Sequence, residues 1–253
     1  MRVVVKVGSA VLTQDGYIAL DRMRSLVDFL VELKKEHEVI LVSSGAVAGG
    51  YTELKLDRTI LANKQALAAI GQPILMRKYA KKFSKYNILA AQVLVTSANL
   101  NTPADTQRIR ATVETLLDNS VIPIVNENDA TATEELELGD NDQLSAYIAK
   151  DMQADMLIIL SDIDAYYDSD PRKNPDAKPL KVVQKIDADE LQKEVTPNNV
   201  FATGGIVTKL KAAQYLLDEN IDTFLASGFD LSDVRSYMLA GIHKGGTLFT
   251  CKG

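Results

Sequence analysis

The sequence lacks the features of exported and membrane proteins. Its 253 residues include one cysteine, Cys251, and no tryptophan, so it holds neither a disulfide framework nor a cysteine cluster for zinc. No apolar run approaches the roughly 18 residues that span a bilayer. The apolar N-terminus contains Lys6 and no signal-peptide cleavage pattern. We therefore expect a cytoplasmic protein.

The sequence also has fewer basic than acidic residues, and it lacks two common nucleotide-binding motifs. The 28 Lys and Arg residues are outnumbered by 34 Asp and Glu, which gives a net charge of −6. With no basic stripe and no aromatic RNA-binding run, nucleic acid is disfavoured as a partner. The Walker pattern G-x-x-x-x-G-K-[ST] does not occur, and no G-x-G-x-x-G follows the first apolar run. These absences argue against a P-loop and against a dinucleotide cofactor.

What the sequence does contain is a repeating strand–helix order. Its strand candidates are almost continuously apolar, which is typical of strands buried on both faces of a parallel sheet. The order predicts an α/β fold, a three-layer α/β/α sandwich with a mostly parallel central sheet, in one domain over residues 1–253. Ligands of such sheets gather beyond the carboxyl ends of the strands. The six predicted strands are residues 3–7, 39–43, 88–95, 121–125, 156–160 and 222–226.

Helical periodicity follows several of these strands. A helix with Asp21 as its N-cap is predicted from the apolar spacing that follows it. Residues 105–119 and 206–220 show the same period. Residues 162–197 differ, because they are rich in Asp, Pro and Asn and predict a long irregular excursion, either a lid or an insertion beside the site.

The end of the first strand has the composition of an anion site. Gly8 allows a close backbone approach, and the amides around Gly8 and Ser9 could hold phosphate oxygens. Lys6 lies inside an otherwise apolar strand, and burying it unpaired would cost several kcal/mol. We expect Lys6 to reach the strand end and meet an anion. A lysine that extends to the surface at a sheet edge is an equal alternative.

Two later junctions share this chemistry. Residues 43–45, "SSG", lead into a helix, although alone they are typical of an ordinary turn with a serine cap. Residues 203–209, "TGGIVTK", put a hydroxyl, paired glycines and a lysine at a helix start. Three glycine-rich junctions and two lysines together predict a phosphoryl-transfer site, where catalysis is mainly positioning and electrostatic stabilisation.

The acidic stretch "NENDATATEELELGDNDQLSA" (126–146) follows the fourth strand. Seven of its residues are Asp or Glu, and none is Lys or Arg. A solvated acidic loop is the simplest interpretation. The alternative is a pocket for a cation beside the phosphates, either magnesium or a substrate ammonium.

Seven blocks occur in order along the chain: "KVGSAVL", "VSSGAVAGG", "ANKQALAAIGQ", "VIPIVNENDATAT", "LGDNDQLSA", "LSDIDAYYDSDPR" and "ATGGIVTKLKAA". From Lys6 to about Phe249, the chain thereby resembles the glutamate 5-kinases of the amino acid kinase family. The pair NENDA…GDND is quite specific to that branch, whereas KxGS and TGGxxTK are shared more loosely.

The resemblance implies ATP-dependent phosphorylation of the L-glutamate side-chain carboxylate, the first step of proline biosynthesis, with ATP and Mg²⁺ as cofactors. Lys6 would contact the transferring phosphate and Lys209 its ATP side. Asp142 and Asp162 would organise magnesium or the two lysines, and these four are the candidate catalytic residues. The implied glutamate-binding residues are Ser44, Gly45, Asp129 and Asn141. The implied ATP site adds Gly8, Ser9, Ser161, Thr203, Gly204, Gly205, Ile206, Val207 and Thr208 to Lys6, Asp162 and Lys209.

Two departures from the family pattern are visible. Relatives often carry a C-terminal domain of the PUA type, whereas this sequence stops at "GGTLFTCKG", so we expect a short form. Relatives tend to have Gly where this chain has Ala165, and a shifted adenine-side loop is expected if that position needs a positive φ.

The family also implies partners. Homo-oligomers, dimer or tetramer, are expected, and residues 61–83 could give an apolar face for a second subunit or could face the core. Proline could compete at the glutamate pocket. Rival functions are a related kinase acting on aspartate, carbamate, acetylglutamate or UMP, and an amino-acid sensor without turnover. The sensor is disfavoured because both lysines and the acidic positions are present.

Overall fold

A computed structural model describes residues 1–131, 141–192 and 205–252. Helices and strands alternate along most of these ranges. The strands are β1 (Arg2–Val7), β2 (Thr13–Gln14), β3 (Tyr17–Ile18), β4 (Glu38–Ser43), β5 (Ala90–Val95), β6 (Ile122–Glu127), β7 (Met156–Ser161), β8 (Val182–Val183), β9 (Asp222–Ser227) and β10 (Thr247–Phe249). The α-helices are α1 (Ser9–Leu12), α2 (Leu20–Leu33), α3 (Ala46–Glu53), α4 (Leu61–Phe83), α5 (Ser97–Leu100), α6 (Pro103–Asp118), α7 (Asn141–Asp151), α8 (Ala188–Gln192), α9 (Ile206–Asp218) and α10 (Ser232–Ala240).

The central sheet has eight strands in the order β5-β6-β4-β1-β7-β9-β10-β8. All six predicted strands are in it, and they pair with one another in parallel. The short strands β8 and β10 were not predicted, and β10 runs antiparallel to β9. Two or three residues are too few to show a strand period in sequence. The β2–β3 hairpin was missed for the same reason.

Alternation along β1 divides the core between the two faces of the sheet. Val3, Val5 and Val7 pack into one apolar cluster with α2, α4 and α10. Val4 packs into the other cluster with α6, α7 and α9. Successive side chains of a strand point to opposite faces, so Lys6 shares the face of Val4 and lies toward α7 and α9. The three-layer prediction is confirmed, and it already determines which helices Lys6 meets.

Some local predictions need correction. Helix α2 begins at Leu20 with Ala19 as its N-cap, so Asp21 lies in the first turn and is not the cap. Its carboxylate still interacts favourably with the positive N-terminal end of the helix dipole. The large apolar side chains of α4, among them Leu75, Tyr79 and Phe83, lie in the core, while the predicted subunit contact of residues 61–83 stays a prediction.

The excursion after β7 is irregular where the structure describes it. It contains an isolated bridge between Tyr167 and Pro179, the two-residue strand β8 and the short helix α8. Residues 193–197 of the predicted segment lie outside the described residues. Within the described ranges, none of the helices has both the length and the hydropathy that crossing a membrane requires.

Candidate active site

The carboxyl ends of the central strands meet at one edge of the sheet. Val7 of β1 is paired with Ser43 of β4 on one side and with Leu160 of β7 on the other. The turns that begin at Gly8, Ser44 and Ser161 therefore start at the same level. This register brings three predicted blocks together although more than a hundred residues separate the first from the last.

Two buried lysines share one carboxylate at this edge. The Lys6 Nζ donates to Oδ1 of Asp142, at the start of α7. The Lys209 Nζ of α9 donates to Asp142 Oδ2 at 3.0 Å, and Thr208 Oγ1 donates to the same oxygen at 2.8 Å. Lys6, Asp142 and Lys209 are each at most 3% exposed. Of the two alternatives for Lys6, the structure has the paired and buried one.

The charges of this group support one another. Burial by itself would raise the pKa of the Asp142 carboxyl, but the charges and hydrogen bonds of Lys209 and Lys6 outweigh burial and hold that pKa well below its usual range. The carboxylate is therefore ionised at neutral pH. With two ammonium groups and one carboxylate, the group carries one net positive charge, which a phosphate can neutralise.

The turn after β1 differs in detail from the prediction. The Gly8 amide donates to the Leu160 carbonyl at 3.1 Å, so in this structure it is committed to the protein and does not point to a phosphate. A Cβ on Gly8 would meet no atom closer than 3.7 Å, but it would lie 3.8 Å from Lys6 Nζ. The fold thus tolerates a side chain here, and glycine keeps the space beside the ammonium open. Ser9 begins helix α1 next to it.

The turn after β4 carries the predicted substrate residues. Gly45 has φ of 108° and ψ of 2° at the N-cap of α3, a left-handed conformation that favours glycine. Asn141 Nδ2 donates to Ser44 Oγ at 2.8 Å and to Asn126 Oδ1 at 3.0 Å. The structure therefore joins the blocks of Ser44 and Asn141, which are far apart in sequence.

The acidic stretch is only partly described, because residues 132–140 lie outside the described ranges. Asp129 follows β6 and is half-buried, and the Asn128 amide beside it donates to the Val95 carbonyl at 2.7 Å. At the other end, Asp142 is fully buried between the lysines. Asp142 is therefore not part of a solvated loop, whereas the choice between a solvated loop and a cation pocket stays open for the rest of the stretch.

A cavity of about 580 Å³ opens at the start of α9, the helix that carries Lys209. One wall is the excursion after β7, and the other is the start of α9. Ser161 Oγ donates to Asp162 Oδ1 at 3.0 Å at its edge, and Gly205 is the N-cap of α9. The lining includes Asp162, Tyr166, Tyr167, Arg172, Ile206 and Val207.

The structure brings together some of the residues that were predicted to bind ATP. Asp162, Ile206 and Val207 line the cavity, whereas Thr203 and Gly204 lie outside the described residues. Ala165 is buried and its φ is not positive. The condition under which Ala165 would shift this loop is therefore not met.

Sequence reasoning missed a set of polar residues behind Asn141. Asn126 is 2% exposed and Gln72 of α4 is 7% exposed, and the two are hydrogen-bonded. Buried polar side chains need partners, so amides inside an apolar strand and helix were the available signal. Both lie in blocks that carried the resemblance, but no role was predicted for them.

The chain belongs to the amino acid kinase family, whose sequence profile matches residues 1–227. The fold agrees: isopentenyl phosphate kinase superposes with a TM-score of 0.69 at 17% identity, covering 99% of this chain and 100% of that structure.

Within the family, the similar sequences bear one name. A glutamate 5-kinase of Wolinella succinogenes is 52% identical over 257 residues, covering 100% of this chain and 98% of the relative. A glutamate 5-kinase of Leishmania donovani is 50% identical, covering 98% of this chain and 94% of the relative. A glutamate 5-kinase of about this length is therefore present among the relatives.

Proposed function

We propose that this chain is an ATP-dependent glutamate 5-kinase, acting as a single domain over residues 1–253 in the cytoplasm. It transfers the γ-phosphoryl group of ATP to the side-chain carboxylate of L-glutamate, in the first step of proline biosynthesis. The observation that carries the proposal is the buried pair Lys6 and Lys209 on Asp142. Lys209 is in α9, whose first residues line the cavity, and Asp142 follows Asn141, which is hydrogen-bonded to Ser44. The name of the relatives supplies the substrate.

The reaction requires charge neutralisation more than proton transfer. A carboxylate oxygen of glutamate attacks the γ-phosphorus, the bond from phosphorus to the bridging oxygen breaks, and ADP leaves with that electron pair. Both reactants are anions, so they repel each other until cations lie between them. Lys6 and Lys209 would supply these charges in a buried site, where they act more strongly than in water. Asp142 would hold the two ammonium groups in place.

The residues present are compatible with magnesium carried by the nucleotide. Among the described residues, no cluster of three or more His, Cys, Asp or Glu side chains forms a metal cage, and the oxygens of Asp142 are bound to lysines. Magnesium commonly binds substrate phosphates, water and one or two carboxylates. Asp162 at the cavity edge would be such a carboxylate. The bound ion would neutralise phosphate charge.

The substrate pocket would use Asp129 for the ammonium of glutamate. A carboxylate partner for a buried ammonium follows from charge, and Asp129 lies after β6, near the neighbouring turn of Ser44 and Gly45. Proline, which also carries an amino group and a carboxylate, would compete at this pocket as a feedback inhibitor. A homo-oligomer, dimer or tetramer, is part of the proposal and is tested by light scattering.

The test is formation of acyl phosphate trapped by hydroxylamine. Purified protein receives ATP and magnesium with L-glutamate, L-aspartate or N-acetyl-L-glutamate in separate reactions, and hydroxamate is measured. Product from glutamate alone is expected. Removing one electrostatic group from such a site costs about 10²–10³ in kcat, so Lys6→Ala should lose that much while Lys81→Ala, on the exposed end of α4, keeps full activity.

Two results would redirect the proposal. Product from another acid with none from glutamate would keep the kinase and discard the substrate. A folded protein that binds ATP and gives no product with any acid would favour the sensor, which is the alternative function.

A further inference from the structure

Four amide side chains and one serine form a continuous hydrogen-bonded chain that runs from the sheet edge to the pocket. We call this series the amide relay, and it rests on strands β5 and β6 and helices α4 and α7. Asn126 Nδ2 donates to Gln72 Oε1 at 3.0 Å, and Gln72 Nε2 donates to Gln92 Oε1 at 2.9 Å. On the pocket side, Asn141 Nδ2 donates to Asn126 Oδ1 at 3.0 Å and to Ser44 Oγ at 2.8 Å.

The relay has a direction. Each amide donates to the next one away from the pocket, so Asn141 donates to Asn126, Asn126 to Gln72, and Gln72 to Gln92. Turning one amide alone would place two oxygens or two NH₂ groups against each other. Because Gln72 and Asn126 are buried, water does not readily replace a lost partner. Reversal therefore requires several amides to turn together.

This direction decides what Asn141 offers to a ligand. An amide nitrogen has two hydrogens, and those of Asn141 are directed at Asn126 Oδ1, at Ser44 Oγ and, at 3.4 Å, at the Ser43 carbonyl oxygen. The group left for a substrate is the Oδ1 acceptor. Ser44 Oγ accepts from Asn141, so its own hydrogen is left as a donor. The pocket thus presents an acceptor and a donor side by side.

We infer that Gln72 and Asn126 are positioning residues that orient Asn141 Oδ1 toward the ammonium of the amino-acid substrate and leave the Ser44 hydroxyl for its α-carboxylate. The inference rests on the proposed function and assigns the recognition of the α-amino group partly to residues that do not touch the substrate. Asn141, which the family resemblance implied only as a glutamate-binding residue, is thereby assigned to the ammonium.

The test compares L-glutamate with glutarate, which has the same reactive carboxylate and lacks the amino group. The measured quantity is the ratio of kcat/KM for glutamate to kcat/KM for glutarate, from hydroxamate formation. Gln72→Met is close in size and offers no acceptor to Asn126, so Asn126 is free to turn. Asn141 then loses the fixed orientation of that neighbour and keeps only Ser44 and the 3.4 Å contact with the Ser43 carbonyl. We expect the ratio to fall about tenfold or more, the size of a lost hydrogen bond to a charged group, mainly through KM for glutamate.

Two variants keep the acceptor and should keep the ratio. The carboxyl group introduced by Gln72→Glu still accepts from the Asn126 amide, whether or not it is protonated. The carboxyl group introduced by Asn126→Asp likewise still accepts from the Asn141 amide. Gln107→Met is the matched control, because it makes the same substitution on the exposed surface of α6. It should leave kcat/KM unchanged for both glutamate and glutarate.

The outcomes separate the two proposals. An unmodified protein that makes no hydroxamate from glutamate overturns the proposed function. If the unmodified protein is active and Gln72→Met lowers kcat/KM equally for glutamate and glutarate, the inference alone is overturned. A merely structural role of Gln72 would affect both substrates in this way. If Gln72→Met does not fold by circular dichroism, a tenfold loss of the ratio in Gln72→Glu or Asn126→Asp, which both keep the acceptor, still contradicts the relay.

Discussion

Lys6 and Lys209 donate to opposite oxygens of one carboxylate, Asp142, although they come from the first strand and one of the last helices. The contact holds β1, α7 and α9 together at the sheet edge where the candidate active site lies. A carboxylate between two lysines keeps both ammonium groups buried and close together before any phosphate binds. The same group therefore serves stability and chemistry.

Asp142→Asn should destabilise the protein. Two buried ammonium groups would lose their counter-charge, and breaking a buried ion pair on one side costs about 3–5 kcal/mol. The free energy of unfolding from urea titration measures this. In a Lys209→Met background the further cost of Asp142→Asn should be smaller, because fewer unpaired charges remain. Equal costs in both backgrounds would contradict the shared pairing.

The stabilisation by Asp142 should depend on pH in a defined direction. Its folded pKa lies below the unfolded value, so the contribution is complete above the unfolded carboxyl pKa of about 4 and is lost as pH falls below it. The difference in unfolding free energy between the unmodified protein and Asp142→Asn should be flat from about pH 5 to 7 and shrink toward pH 3. A difference that grows as the solution is acidified would show that the sign is wrong.

Asp129→Asn should weaken glutamate binding more than it slows the chemical step. Losing a charged hydrogen-bond partner corresponds to about 10–100-fold in KM, and ATP should bind as before because the nucleotide cavity lies elsewhere. Initial rates over a range of glutamate concentrations give KM and kcat. Asp118→Asn, exposed at the end of α6, is the control. An unchanged KM for glutamate would remove Asp129 from the pocket.

Adjacent glycines in α3 should differ sharply in their tolerance of a methyl group. A Cβ on Gly50 would lie 1.9 Å from the Leu67 carbonyl oxygen of α4, whereas on Gly49 the nearest atom, the Gly71 carbonyl oxygen, is at 3.2 Å. Overpacking of this kind costs about 1–3 kcal/mol or more. Gly50→Ala should therefore lower the urea midpoint strongly and Gly49→Ala only slightly. Similar midpoints for the two variants would mean that α3 and α4 separate easily.

Much of the fold could be predicted, and the reasons lie in particular segments. The six long strands were correct because their apolar runs are continuous and are bounded by turns. The strands β8 and β10 escaped because their two or three residues have no period, and tertiary pairing alone makes them strands. Asp21 was predicted to be the N-cap, yet the N-cap is Ala19, two residues earlier, and the Asp21 carboxylate lies in the first turn of the helix.

The residues of the site could be predicted from the sequence, but most of the contacts between them could not. Glycine-rich strand ends and two lysines indicated phosphate chemistry, and the family blocks implied a role for each residue. The family resemblance left open whether Asp142 and Asp162 would organise magnesium or the two lysines, and the structure places Asp142 between both lysines. No local pattern indicated that the Gly8 amide would donate to Leu160 or that Gln72 would contact Gln92.

The sequence by itself determined the strand–helix order, the charged and glycine-rich residues at the strand ends, and the family, because these depend on local pattern and composition. Only the tertiary structure decided which charged side chains contact each other. Parallel pairing sets β1 between β4 and β7, the alternation of β1 turns Lys6 toward α7 and α9, and burial then forces every polar group there to find a partner. Those are contacts between distant residues, and no local pattern specifies them.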